Sequence, residues 1–180
     1  MSNTIRLTAA QAMIKWLSVQ MTPTASSSEA VGVQKSASSS EAVGNQKLER
    51  YIDGMWAIFG HGNVAGIGEA LHAARDVFPT WRGQNEQTMA HAAIAYAKGK
   101  KRTRAMAVTT SIGPGSTNVV TAAALAHVNR LPLLIVAGDV FANRRPDPVL
   151  QQVEDFDDGT VSANDCFKPV SRYFDRITRP

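Results

Sequence analysis

Apolar positions first recur at helical spacing. Ala10, Met13, Ile14 and Leu17 line one side of a helix, and Trp16 and Val19 widen that stripe. Thr8 followed by Gln11 has the spacing of a capping box, so the helix starts there and is expected to end near Met21. From residue 48 the pattern becomes strand and helix in alternation. The run Met55 to Phe59 has strand length and stops at Gly60-His61-Gly62-Asn63, after which Val64 to Ala74 reads as a helix. Val77 to Arg82 is a second short strand. Gln87 to Lys98 is a helix with Met89, Ala92, Ala93 and Tyr96 at helical spacing. Ala105 to Thr109 is a strand broken by Gly113-Pro114-Gly115, and Asn118 to Asn129 is an Ala-rich helix. Leu133 to Ala137 is continuously apolar, as expected of a parallel strand covered on both faces. Beyond Asp139 the chain turns polar and Pro-rich, with one strand-like stretch at Val170 to Phe174. Strand–turn–helix repeated in this way predicts βαβ units with right-handed crossovers, an α/β doubly wound parallel sheet in three layers.

One segment breaks the alternation. Residues 25 to 35 read ASSSEAVGVQK and residues 37 to 47 read ASSSEAVGNQK, differing only at Val33 and Asn45. A period of 12 matches no solenoid, and two copies cannot stack a core. Few large apolar groups are present to offset the entropy of ordering, so residues 24–47 are expected to form a flexible surface insertion in a single domain spanning 1–180.

Composition narrows the class. With 180 residues, 44% hydrophobic and 19% charged, the chain suits one ordinary globular domain. The longest strongly apolar run, Leu131 to Gly138, is too short for ~30 Å of hydrocarbon, and Met1 to Thr8 lack the apolar core of a secretion signal. One cysteine, Cys166, excludes an internal disulfide framework and a cysteine-built zinc site. A cytoplasmic protein without a membrane partner is expected. The net charge of +4 comes from scattered basic residues, and the one tight cluster, Lys98 to Arg104, sits in a helix-to-strand connection. That distribution argues against nucleic acid as a partner.

Ligands of open parallel sheets bind beyond the carboxyl ends of the strands. The loops at those ends are 60–63, 110–118 and 138–139, and residues 82–86 lead into the helix from Gln87. The glycines fit neither a dinucleotide fingerprint nor a Walker loop. The loop at 111–118 is either a plain tight turn or a set of free amides ahead of a helix. Glu86 has two readings as well. It is a favourable charge at a helix N-terminus, or a carboxyl group in an apolar pocket suited to proton exchange with a heteroaromatic nitrogen. His91, inside the alanine helix, reads as a packing residue, whereas His61, in a strand-end loop, is better placed to reach a ligand. The four histidines have no recognised metal-ligand spacing, and no metal site is expected.

Three motifs occur in order: Gln84-Asn85-Glu86-Gln87 before a helix with Ala95-Tyr96-Ala97, Thr110 to Asn118, and Leu131-Pro132-Leu133-Leu134-Ile135-Val136-Ala137-Gly138-Asp139. Together they resemble the N-terminal pyrimidine-binding domain of thiamine-diphosphate enzymes of the acetolactate synthase type. Ile5 to Ala12, Phe59 to Val64, Arg145 to Gln152 and Lys168 to Tyr173 are more similar to the ring-opening C–C hydrolases of that family in myo-inositol catabolism. Ile112, between Ser111 and the Gly-Pro-Gly, also fits that branch better. This resemblance covers nearly the whole chain outside the duplicated segment.

The resemblance implies thiamine diphosphate as cofactor and a cyclic diketone as substrate. It implies that the glutamate matching Glu86 hydrogen-bonds a pyrimidine nitrogen and is catalytic, favouring the imino form that takes the thiazolium proton. Gly113, Pro114, Gly115 and Asn118 would line the pyrimidine side, and His61 and Gln151 would contact substrate. The family's Gly-Asp-Gly…Asn-Asn motif does not occur here, so Mg²⁺ and the diphosphate end are expected to be held by a C-terminal domain outside this chain. Neither a closing helix nor a polar tail precedes Arg179-Pro180, and a fragment of a longer chain, inactive alone, is the expectation. Its partner would be a second copy or a separate C-terminal half. A non-catalytic module that dimerises, or complements such a half, stands as the alternative.

Overall fold

The computed structural model describes residues 4–24, 47–141 and 148–179. The duplicated segment at 25–46 lies outside the described residues, and so do Arg145, Pro146 and Asp147.

The first helix, α1 (Ala9–Ser18), starts at Thr8. The Thr8 hydroxyl accepts from the Gln11 amide, and the Gln11 side chain accepts from the Thr8 amide. Each bond satisfies a donor left unpaired at a helix start. Ile14 and Leu17 face the core, but Trp16 and Val19 are exposed. Trp16 lies about 200° around the helix from Ile14, which takes it off the buried stripe. A short antiparallel ribbon that the apolar pattern does not predict follows, with β1 (Met21–Pro23) paired to β2 (Leu48–Arg50).

The main sheet contains β3 (Ile52–Ala57), β4 (Thr80–Trp81), β5 (Ala105–Thr109) and β6 (Leu134–Val136), in the order β4-β3-β5-β6. Every pairing is parallel. The central strand β5 is buried at each of its positions. Its side chains alternate between two cores, as the period of two requires. Ala105 and Ala107 join Ile14, Leu17, Met55, Leu71 and Phe78 on one face. Met106 and Val108 join Met89, Ile94, Val119, Ala126 and Phe167 on the other. Helices therefore cover both faces of the sheet, and the architecture is the expected three-layer α/β fold.

The remaining helices differ from the periodicity in instructive ways. The segment after β3 becomes helical at His61, three residues before the expected start, as α2 (His61–Asn63), a π-helical stretch (Val64–Gly68) and α3 (Glu69–Ala73). The π stretch coincides with Gly66 and Gly68, which hold α-helical geometry weakly. The helix expected from Gln87 is α4 (Glu86–Gly99), with Asn85 as its N-cap. The Ala-rich helix breaks into α5 (Pro114–Thr117) and α6 (Val120–Asn129), so the amides of the Gly-Pro-Gly loop head a single turn rather than the long helix. Residues Val170 to Phe174 form no strand. A 3₁₀ helix runs from Ala163 to Val170, started by a capping box between Ser162 and Asp165 and carrying Pro169, which cannot donate to a strand ladder.

Candidate functional site

The carboxyl ends of β3 and β5 and the start of α4 converge on one end of the sheet. Glu86 is the first residue of α4, presented there because the Asn85 side chain accepts the Thr88 amide at 3.1 Å and fixes where the helix begins. Its carboxylate is half-buried, less enclosed than the apolar pocket expected for it. Asn118, at the junction of α5 and α6, donates from Nδ2 to Glu86 Oε2 at 3.1 Å. Oε1 turns toward Gly115, where an added Cβ would lie 3.2 Å from it and would overlap Ser111 Oγ. Among the described residues Oε1 accepts no hydrogen bond. The carboxylate thus has one oxygen fixed by the protein and one left over a glycine.

A second convergence lies beside the first. Gly113 adopts φ +57, ψ −117, a conformation that excludes most side chains, and a Cβ on it would overlap the Gln151 carbonyl oxygen. Gln151 itself holds φ +69, and its Oε1 approaches Gly60, where a Cβ would lie 3.7 Å away. A Cβ on Gly60 would also sit 3.0 Å from Ser111 Cβ. Ser111 is therefore the floor shared by Gly60 and Gly115. Glu86, Gly115 and Asn118 come together on one side of it, and Gly60, Gly113 and Gln151 on the other. Pro114 opens α5 as its first residue and is exposed, and His61 is exposed at the start of α2. A cleft of about 580 Å³ lined by Ile58, Arg82, Gly83, Gln84 and Glu86 opens beside the carboxylate. Gly83 is required in that cleft because a Cβ there would overlap Met89 of α4.

Buried polar bonds that the spacing of motifs does not reveal hold the loop from behind. Ser116 Oγ donates to Asn164 Oδ1, and Asn164 Nδ2 donates to the Gly138 carbonyl at 2.7 Å. Asp139 accepts from Ser162 Oγ at 3.0 Å and pairs with Arg176 at 2.9 Å, so the strand-end aspartate has a structural role. The one legible signal for this support is the Ser162-x-x-Asp165 capping spacing, which places Asn164 in a tight turn.

Helix α4 turns Met89, Ala90, Ala93, Ile94 and Ala97 into the core, and the exposed apolar groups include Val64, next to the loop at 60–63, and Val153, whose Cγ1 would lie 3.2 Å from a Cβ on Gly113. At the opposite end of the sheet, Tyr96 donates to Asp53, and Arg104 pairs with Asp53 and with Glu49 at 3.2 Å. Burial, and then the Asp53 carboxylate, push the Tyr96 hydroxyl up to about 12. Among the described residues no three His, Cys, Asp or Glu side chains converge as a metal site would need. None of the described helices is long and apolar enough to cross a membrane.

Residues 52–158, which carry this sheet and these loops, match the family model for the N-terminal TPP-binding domain of thiamine pyrophosphate enzymes. The chain belongs to that family. Within it, the chain is similar to proteins named 3D-(3,5/4)-trihydroxycyclohexane-1,2-dione hydrolase. It is 47% identical to that of Geobacillus thermodenitrificans over 178 residues, 99% of this chain and 25% of the relative. It is 46% identical to that of Shouchella clausii over 180 residues, 100% of this chain and 25% of the relative. One of the Bacillus cereus proteins of that name is 46% identical over 177 residues, 98% of this chain and 24% of the relative. The chain spans about a quarter of the length of these relatives.

The residues fit the pyrimidine end of the cofactor on the structure's own terms. An aminopyrimidine ring nitrogen carries a lone pair, so it pairs with a carboxyl group that shares a proton with it, and the ring needs room to lie flat. Glu86 Oε1 supplies the carboxyl oxygen, and the cleft lined by Ile58, Arg82, Gly83, Gln84 and Glu86 supplies space beside it.

Proposed function

We propose that this chain is the N-terminal, pyrimidine-binding part of a thiamine-diphosphate-dependent hydrolase. That enzyme opens the ring of 3D-(3,5/4)-trihydroxycyclohexane-1,2-dione to 5-deoxy-glucuronate in cytoplasmic myo-inositol catabolism. The observation that carries this reading is the Glu86 carboxylate, clamped through Oε2 by Asn118 while Oε1 lies over Gly115. The bound cofactor would supply the carbon nucleophile and electron sink that cleavage between carbonyl-bearing carbons requires. Glu86 would hold a proton at the pyrimidine nitrogen, with Oε1 as the accepting atom. Asn118 would keep that oxygen aimed by occupying the other. Gly113 and Gly115 would line the pyrimidine side, with Pro114 at the rim, and His61 and Gln151 would contact the cyclic diketone. Mg²⁺ and the diphosphate would be held by polypeptide equivalent to the other three quarters of the relatives, from the same or a partner subunit, so this quarter alone would not turn over.

The alternative is a non-catalytic dimerisation or complementation module of a split, acetolactate synthase-like enzyme. It is supported by the lack of a Gly-Asp-Gly…Asn-Asn motif in this sequence. One experiment separates the two. The chain is combined with the remaining three quarters of the Geobacillus relative, thiamine diphosphate and Mg²⁺, and ring opening is followed. Turnover that is lost in Glu86→Gln is expected. A stable complex with no turnover, or turnover unchanged in Glu86→Gln, refutes the catalytic assignment.

A further inference from the structure

Helix α5 cannot fix its own place. It is a single turn, Gly113 before it offers no side-chain cap, and Pro114 has no amide to donate. Yet this turn carries Gly115, against which Glu86 Oε1 lies, and it ends at Asn118, which holds Glu86 Oε2. Its position therefore comes from bonds outside the loop. Ser116 is fully buried, and its hydroxyl donates to Asn164 Oδ1. The other end of that amide donates to the Gly138 carbonyl at 2.7 Å. Gly138 in turn rests on the first residues of the loop. A Cβ on it would lie 2.9 Å from the Ile112 amide nitrogen, and its own amide donates to the Thr110 carbonyl at 3.2 Å. One side chain thus ties the opening of the loop to its closing turn.

The group that aims Asn164 stands one step further back. The Asn164 amide donates to Ser162 Oγ at 3.2 Å, and Ser162 Oγ donates to Asp139 Oδ1 at 3.0 Å. Asp139 Oδ1 also accepts the Val140 amide at 2.8 Å, and Oδ2 accepts Arg176 Nε at 2.9 Å, so this carboxylate has a fixed orientation. We propose that Asp139 is a positioning residue for the pyrimidine-side loop. Through Ser162 and Asn164 it sets the place of α5, and with it the reach of Asn118 to Glu86. Asp139 itself touches neither Glu86 nor Asn118; it acts at the end of β6, behind the loop.

This inference rests on the reading of Glu86 as the carboxyl that meets the pyrimidine, but its first readout needs neither cofactor nor turnover. The Asn118 side-chain amide protons are followed by heteronuclear NMR in this chain and assigned by their loss in Asn118→Ser. Asp139→Ala and Ser162→Ala are each expected to move them toward the position of a solvated amide. Asp139→Asn, which keeps an oxygen for the Ser162 hydroxyl, is expected to leave them near the parent position. Tyr96→Phe, which removes a bond at the opposite end of the sheet, is expected not to move them. In the chain joined to the remaining three quarters of the Geobacillus relative, Asp139→Ala is expected to raise the KM for thiamine diphosphate about tenfold with kcat at saturation nearly unchanged, and Asp139→Asn to restore most of that loss. An Asn118 signal unmoved in Ser162→Ala, or moved equally by Tyr96→Phe, overturns the proposal, even where the thermal midpoint falls. Ser162→Ala decides the matter if Asp139→Ala does not fold. An Asn118 signal that moves as expected in a joined protein without ring opening refutes the catalytic assignment and leaves the brace standing.

Discussion

Asn164 gives the sharpest test of how the glycine loop is held. It is 6% exposed, and both ends of its side-chain amide are used inside the protein, by Ser116 Oγ and by the Gly138 carbonyl. Asn164→Ala leaves a buried hydroxyl and a buried carbonyl without partners. Each orphaned group costs about 1–3 kcal/mol, which gives roughly 2–6 kcal/mol in all. That is a large part of the ~5–15 kcal/mol that holds an ordinary domain together. For a chain of this length, each kcal/mol moves the thermal midpoint by about 2–4 °C, so a drop of roughly 4–24 °C is expected by calorimetry or circular dichroism. Ser116→Ala removes one donor and should cost about 1–2 kcal/mol. The double variant should cost less than the sum, because the bond between the two residues is lost only once. An Asn164→Ala midpoint within about 0.5 kcal/mol of the parent, or strict additivity with Ser116→Ala, would refute the reasoning.

Two further outcomes follow from the same structure. Gly113→Ala forces a side chain into φ +57, ψ −117 and against the Gln151 carbonyl, so a loss of at least about 2 kcal/mol is expected, with proteolytic sensitivity rising around residues 149–153; unchanged stability in urea denaturation would contradict it. The Tyr96 hydroxyl is raised to about 12 in the folded chain against 10.0 when unconstrained, so the unfolded chain releases that proton first as pH rises. Its contribution to stability is therefore complete below pH 10.0 and is lost as the pH approaches 12, a decline that Tyr96→Phe should flatten in denaturation midpoints taken across that window. An identical alkaline slope in the two proteins would show that the Asp53 contact does not act as described.

How much of this was legible beforehand varies with the physics involved. Local and periodic features were accessible: Thr8 and Gln11 cap α1 as their spacing requires, and Ala105 to Thr109 is a buried strand throughout. The three-layer architecture followed, because apolar strands alternating with amphipathic helices have few other ways to bury both faces. Features that depend on a neighbour in space were not accessible. Trp16 sits among apolar residues in sequence but faces outward, and β6 is continuously apolar yet lies at an edge. The ribbon of β1 and β2 pairs residues separated by the duplicated segment, so no local pattern marks it.

The sequence by itself determined the family and the alternating architecture, since both depend on residue type and order along the chain. Tertiary structure alone decided which Glu86 oxygen is fixed and which is free, because that rests on Asn118, 32 residues away in the chain and 3.1 Å away in space. It also decided that Gln151 braces Gly113 and that Asn164 braces Ser116. Hydrogen bonds and steric contacts of this kind act over a few ångströms, and only the folded path of the backbone determines which residues come that close.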